Sequence, residues 1–271
     1  MHSRLPQTHN HGFSLVELSI VLVILGLLTG GILGGQSLIR AAELRSVSTD
    51  FQRYTTAMYT FRDKYFMNPG DMTNATAFWG SAGGNGADAT CYAAQAAGSI
   101  ATCNGNGNGQ IMESAGINNM ERFLAWKQLA NAGLIEGNYT GKTTDASGNY
   151  VAGNLVPGVN LPRSKLSNGF FDFAYLHQAD AGNADFFAGS RLGSNLLFFA
   201  NQSLAGGVIK PEEAWNIDTK LDDSSPVTGR IYTVKRTSAS GGGNCATSDA
   251  DTATYDFTQS ANNCHLYHGL H

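Results

Sequence analysis

Apolar residues fill positions 13–35 almost without interruption; only Glu17 and a few small hydroxyl side chains break the run. As a helix this stretch would extend about 34 Å, enough to cross the ~30 Å hydrocarbon core of a bilayer. After Gly35 the uniform apolarity gives way to a stripe: Leu44, Val47, Phe51, Tyr54, Met58, Phe61 and Tyr65 recur at alternating spacings of three and four. A period near 3.5 is that of a helix with one buried face. No proline falls between 13 and 66, so the pattern predicts one helix of roughly 80 Å. Its outer half, 36–66, would lay the stripe against a folded domain. A coiled-coil seam is the weaker reading, because the stripe is rich in bulky aromatics and the flanking charges that set coiled-coil pairing are sparse.

The helix is expected to stop at Met67-Asn68-Pro69-Gly70-Asp71, a cluster of breaker and turn residues. A loop-rich region follows to about 115. A second amphipathic helix is predicted over 118–132, where Met120, Phe123, Leu124, Trp126 and Leu129 gather mainly on one face with Lys127 among them, before Gly133. Short runs of aromatic or β-branched residues at 170–176, 186–188, 196–199 and 230–234 predict strands. No helix between them is long enough for parallel crossovers, so the sheet should be antiparallel. Pro211-Glu212-Glu213-Ala214-Trp215 opens a further short helix, with proline in the first turn and acids at the positive end of the dipole. That helix runs out at 221–226. The expected class is α+β: a long N-terminal helix packed on an antiparallel sheet, with many loops.

Composition narrows the field. The chain has 271 residues, 42% apolar and 14% charged, long enough for a substantial core and too apolar for general disorder. A net charge of −4 with scattered Lys and Arg leaves no basic face for phosphate backbones, so no specific nucleic-acid partner is expected. Glycine clusters with Asn, Ser, Ala and Asp at 80–110 and 238–246, which reads as surface loops. The four cysteines form two near-neighbour pairs, Cys91 with Cys103 and Cys245 with Cys264, without zinc-site spacing. Two local disulfides are the simplest of three possible connectivities; unpaired core cysteines are the alternative. Disulfides would place the folded part outside the cytoplasm.

Arg4, His2, His9 and His11 precede the apolar run with no acid among them, and Glu43 follows it, which favours an N-terminus on the cytoplasmic side and export of the rest. The run is longer than a secretory signal core and no A-x-A-like site closes it. A plain signal-anchor helix fits the length but leaves Glu17 unexplained. An acid at mid-bilayer costs on the order of 2.5–3.5 kcal/mol on insertion scales, and such residues usually have a partner.

The string Gly12-Phe13-Ser14-Leu15-Val16-Glu17-Leu18 ahead of an aliphatic run resembles the leader junction of type IV prepilins and type II secretion pseudopilins. The resemblance implies a leader at 1–12, cleavage after Gly12 by a membrane prepilin peptidase, N-methylation of the new first residue Phe13, and Glu17 as the acidic fifth residue of the mature chain. It further implies a transmembrane half at 13–35, an amphipathic half at 36–66 and a periplasmic or extracellular domain at 67–271. The expected function is a structural pilin or pseudopilin subunit, not an enzyme. The bilayer, other subunits and an inner-membrane assembly platform are its partners, and a periplasmic or surface filament its destination. Glycine pairs at 30–31 and 34–35 stand where many pilins carry a helix-breaking proline; they would either weaken the helix or allow close helix packing. Cleavage would create an α-amino group with a reference pKa of about 7.7–8.0, mostly protonated near neutrality. Glu17 of a neighbouring subunit pairing with that ammonium would fix the stagger between helices, since an unpaired buried charge is costly.

Other chemistry is weaker. Asp218, Asp222 and Asp223 share one turn-and-loop segment and could hold calcium, which favours several oxygen ligands from a flexible loop; solvated acids at a helix end are the alternative. His265, His268 and His271 with Cys264 could ligate a transition metal, but read more simply as a frayed, exposed tail. No nucleophile elbow, HExxH, P-loop or dinucleotide fingerprint occurs. A membrane-anchored adhesin or binding module using the 80–110 loop, and a membrane-anchored hydrolase, are the competing functions.

Overall fold

Helix α1 (Leu15–Tyr65) is continuous in the computed structural model of the chain. The structure describes residues 14–83, 91, 95–96, 98–111, 121–145, 147, 151, 154–166, 168–176, 193–201, 207–233, 244–248, 250 and 252–270. The expected strand at 186–188, Val234 and part of the 80–110 loop lie outside them. By compactness the chain divides into two units, residues 1–43 and 44–271.

In the first unit, α1 passes through all its glycines without a break. A Cβ built at Gly26, Gly30, Gly31, Gly34 or Gly35 would meet nothing within 4 Å. Among the described residues, therefore, these glycines pack against nothing.

In the second unit the stripe of α1 is buried as its spacing predicts: Val47, Phe51, Tyr54, Met58 and Phe61 are each at most 2% exposed, with Leu44 and Tyr65 packed at the margins. The stripe lies on a sheet made of β1 (Gly169–Leu176), β2 (Ser194–Asn201), β3 (Ile231–Tyr232) and β4 (Leu266–Leu270). All pairings are antiparallel and the spatial order is β1-β2-β4-β3. Phe171 of β1 meets Phe51 and Tyr54 edge-on, each at 5.2 Å between ring centroids. Its cross-strand partner Phe199 lies 5.1 Å away. Such aromatic contacts add about 0.5–1.5 kcal/mol each beyond buried area. Phe171 and Phe199 share one face by the two-residue alternation of strands.

Two short helices precede the sheet: α2 (Ala75–Trp79) lies within the expected loop region, and α3 (Glu121–Asn131) is the described part of the helix predicted at 118–132. Trp126 of α3 stacks on Phe173 at 4.3 Å and meets Tyr54 at 5.0 Å. The turn after α1 is pressed against α3. Gly70 adopts φ +85°, and a Cβ there would sit 2.2 Å from the carbonyl oxygen of Glu121, so the turn requires glycine on both counts. Helix α4 (Pro211–Leu221) starts at the proline and is capped by Glu213, whose carboxylate accepts the Lys210 amide at 3.0 Å.

The C-terminus corrects the sequence reading. Residues 266–270 are not a frayed tail: β4 is an inner strand between β2 and β3. His265 is buried and His268 stacks on Phe51 at 6.3 Å, while His271 is outside the described residues. Alternation of Leu266, His268 and Leu270 fits an inner strand; the polar histidine and the glycine masked a hydrophobic pattern. The pairing that makes this strand comes from residues over sixty positions earlier, at 195–199.

One ion pair is buried beside the sheet. Asp172 of β1 is fully buried and accepts from Arg122 Nε at 2.7 Å and from Arg122 Nη2; Trp126 Nε1 donates to its other oxygen at 3.3 Å. Arg122→Met should destabilise the protein by about 3–5 kcal/mol, because it leaves the Asp172 carboxylate buried without its cation. Denaturant unfolding of the full-length protein in detergent should show that loss, and Asp172→Asn combined with Arg122→Met should recover part of it.

Candidate functional site

The N-terminal segment is where the sequence places the candidate processing and assembly residues. Gly12 and Phe13 lie outside the described residues, which begin at Ser14. Glu17 stands in the first turn of α1. Its Oε2 accepts the Ser14 amide at 2.8 Å, and the Ser14 hydroxyl oxygen accepts the Val16 amide at 3.3 Å. The acid thus caps one of the unsatisfied amides of the helix start and sits at the positive end of its dipole. Around it the helix is apolar on every side: Leu15 is 84% exposed, and Leu27, Leu33 and Leu38 are each above 65%. The most apolar window of α1 has a mean hydropathy of 2.4, and none of it is buried within the chain. This helix is long and apolar enough to cross a membrane. Such a surface on a single chain requires lipid or other protein to cover it.

The cysteines pair as the simplest reading expected. Cys91 bonds Cys103 and Cys245 bonds Cys264, and all four are buried. The second bridge closes the loop that delivers the chain to β4, where Ile209 and Cys264 pair backbone to backbone.

The three acids singled out in the sequence also converge. Asp218 in the last full turn of α4, Asp222 at its C-cap and Asp223 next to it each offer an oxygen within 4.8 Å of the other two. Asp218 is fully buried. Burial is the largest influence on its carboxyl and pushes the pKa up to about 7, with the Tyr255 hydrogen bond pulling against it and the Asp223 and Asp222 charges adding to it. The Tyr255 hydroxyl donates to Asp218 Oδ2 at 2.9 Å. Sequence reasoning missed Tyr255, because nothing local announces a partner 37 residues away.

A buried lysine is the feature that most resembles an activated nucleophile. Lys127 is 1% exposed, and burial, with the Lys142 charge behind it, lowers its pKa to about 8. Among the described residues its Nζ donates a single hydrogen bond, a long one of 3.4 Å, to the Thr140 carbonyl. Enclosed in this way it has no access to a substrate, and its part is in packing. The sign of its effect on stability follows from the lowered value: the folded state resists the charged form, so the penalty is complete below about pH 8 and disappears as pH rises towards the unfolded value near 10.4. Lys127→Met should therefore stabilise the protein at pH 7, by about 1–3 kcal/mol, and the gain should shrink between pH 8 and 10. Thermal melts of both proteins across that range test it.

Comparison with known proteins adds one finding. No curated protein and no solved structure matches the chain. Residues 7–33 match the prokaryotic N-terminal methylation motif, which spans Gly12, Phe13 and Glu17 and marks a structural rather than a catalytic class. The chain thus carries the processing segment that is the hallmark of type IV pilin and pseudopilin prepilins.

Proposed function

We propose that this protein is a filament subunit, a pilin or pseudopilin of the minor, large-domain kind, made as a single-span precursor and converted to its mature form by cleavage after Gly12 and N-methylation of Phe13. The observation that carries the reading is the continuity in one helix, from Leu15 to Tyr65, of an apolar surface without cover among the described residues and a stripe buried in an α+β domain, with the methylation motif at 7–33 running into its start. A signal peptide would be separated from the domain. Here the apolar segment stays in covalent and helical continuity with the core.

Before processing, the N-terminus faces the cytoplasm and α1 crosses the inner membrane. A prepilin peptidase removes the leader, and the assembly platform, with its cytoplasmic ATPase, transfers the helix from lipid to the filament interior. Both surroundings are apolar, so the transfer changes the cover of residues 15–39 without exposing them to water. Glu17 sets the axial stagger by pairing with the Phe13 ammonium of a neighbour. The Ser14 amide that Glu17 now caps would be exchanged for a charged partner, a stronger hydrogen bond in a low-dielectric core. The glycines at 26–35 leave open space on the helix surface, which suits close approach by neighbouring helices. The domain size leans towards a minor subunit or one with an elaborated surface.

Mass spectrometry of the membrane-expressed protein, with and without a prepilin peptidase, should show a mature chain beginning at N-methyl-Phe13 only when the peptidase is present; an uncut chain overturns the reading. Glu17→Ala should leave cleavage intact and lower incorporation into sheared filaments at least tenfold, about 1.4 kcal/mol or more per subunit contact. Unchanged incorporation would remove the register role.

A further inference from the structure

Helix α1 ends in a turn for which glycine is the usual residue. Phe66, the first residue past the helix, donates its amide to the Arg62 carbonyl at 2.8 Å and adopts φ +59°. That left-handed conformation is costly for any side chain and most of all for a bulky one. Burial does not offset the cost, because the ring is 88% exposed. Four residues later the same chain places a glycine, Gly70, at φ +85°. Backbone outliers of this kind cluster at ligand contacts.

The ring lines a cavity of about 370 Å³, within the range of about 300–1,000 Å³ for small-ligand sites. Arg62, Met67 and Asn68 line it from the same end of α1, and Thr73 and Gly109 from the segments that follow. The Arg62 guanidinium is held over the Tyr59 ring at 4.9 Å. Asn68 Nδ2 donates to the Gly109 carbonyl at 3.0 Å, which leaves the side-chain oxygen as an acceptor. The Thr73 hydroxyl donates to the Met67 sulfur at 3.6 Å, a weak bond that an oxygen acceptor would displace. Asp71, also in the lining, is buried, and its two oxygens accept the Asn108 amide at 3.0 Å and the Gly109 amide at 2.8 Å. Those bonds fix the 107–109 loop. At Gly107, φ +73°, a Cβ would lie 2.5 Å from Thr73 Cγ2, whereas at Gly109 it would meet nothing within 4 Å. The loop is thus clamped against Thr73 and presents bare backbone beside the cavity.

The lining selects a neutral molecule that carries many hydroxyls. Its formal charges are one guanidinium and one carboxylate, and the carboxylate is engaged by backbone amides, so no net charge draws an ion. A wholly apolar partner would take Arg62, Asn68 and Thr73 out of water without new partners, which is unfavourable. A sugar ring answers both parts of the surface, with C–H groups on its face for an aromatic ring and hydroxyls at its rim for polar side chains. We propose that this cavity binds a neutral saccharide, with Phe66 as the stacking platform and Arg62, Asn68 and Thr73 as the hydrogen-bonding rim. The site goes beyond the filament reading and does not depend on it.

The test uses the full-length protein in a detergent without a sugar headgroup, applied to an array of neutral and sialylated glycans, with the strongest neutral ligand then titrated by calorimetry. The wild type should bind a neutral glycan, with an affinity that changes less than about twofold between low and high salt. Phe66→Gly should weaken that binding about tenfold or more and raise the melting midpoint by about 2–4 °C, because glycine accepts the left-handed turn. Phe66→Trp should bind within about threefold of the wild type, since it restores an aromatic face. Arg62→Gln should weaken binding about tenfold without moving the melting midpoint. No signal from the folded wild type, binding to sialylated glycans alone, full affinity in Phe66→Gly, or a lowered melting midpoint in that variant would overturn the site. Self-association that Phe66→Gly abolishes, with no glycan bound, would overturn it too and assign the ring to a contact between copies.

Discussion

One helix, α1, has to satisfy two different surroundings, and the side chains of each of its halves follow from the one it meets. From Leu15 to Ile39 the large apolar side chains of α1 are exposed on every side; from Val47 onward only one face is apolar, and that face is buried. The change from uniform to periodic apolarity is a change of solvent. Full apolar cover is stable only in lipid or among other apolar helices, whereas a stripe is stable only against a core.

The domain built on the stripe is held by aromatic packing and by polar groups that packing encloses. Phe51, Tyr54, Trp126, Phe171, Phe173 and Phe199 form a connected set of ring contacts between α1, α3 and the sheet. Around that set the Arg122–Asp172 pair and Lys127 are taken out of water at a cost. The pair answers its own charge, while among the described residues Lys127 has one long bond to a carbonyl. The two disulfides fasten segments rich in glycine and small polar residues, where apolar burial is thin and constraint of the unfolded chain contributes most. The acids at the end of α4 belong to the same pattern: each has a structural bond, and the buried one, Asp218, takes its own from the Tyr255 hydroxyl.

The single-chain structure leaves its functional segment chemically unfinished. Glu17 caps its own helix, and none of the most apolar window of α1 is buried among the described residues. Both features lie in or beside the segment, residues 7–33, that matches the prokaryotic N-terminal methylation motif. A local cap is a modest bond that a charged partner in a dry interior can displace.

How much of this was legible beforehand depends on the range of the interaction. The sequence by itself determined the apolar run, the period of the stripe from Leu44 to Tyr65, the stop at Asn68-Pro69-Gly70, the short helix opening at Pro211, the edges of β1 and β2 to within a few residues, and the processing signature around Gly12, Phe13 and Glu17. All are local: helical and strand periodicity, breaker chemistry and a contiguous motif are written in neighbouring residues. Only the tertiary structure decided that 266–270 is an inner strand, that Cys91 pairs with Cys103 and Cys245 with Cys264, that Tyr255 meets Asp218, and that Arg122 answers Asp172. The strand and the polar partnerships join residues tens of positions apart, and a histidine-bearing segment such as 266–270 becomes a strand only because β2 and β3 present it with unpaired edges. Cysteine spacing left three connectivities open, and the folded backbone chose one by bringing the two pairs within bonding distance.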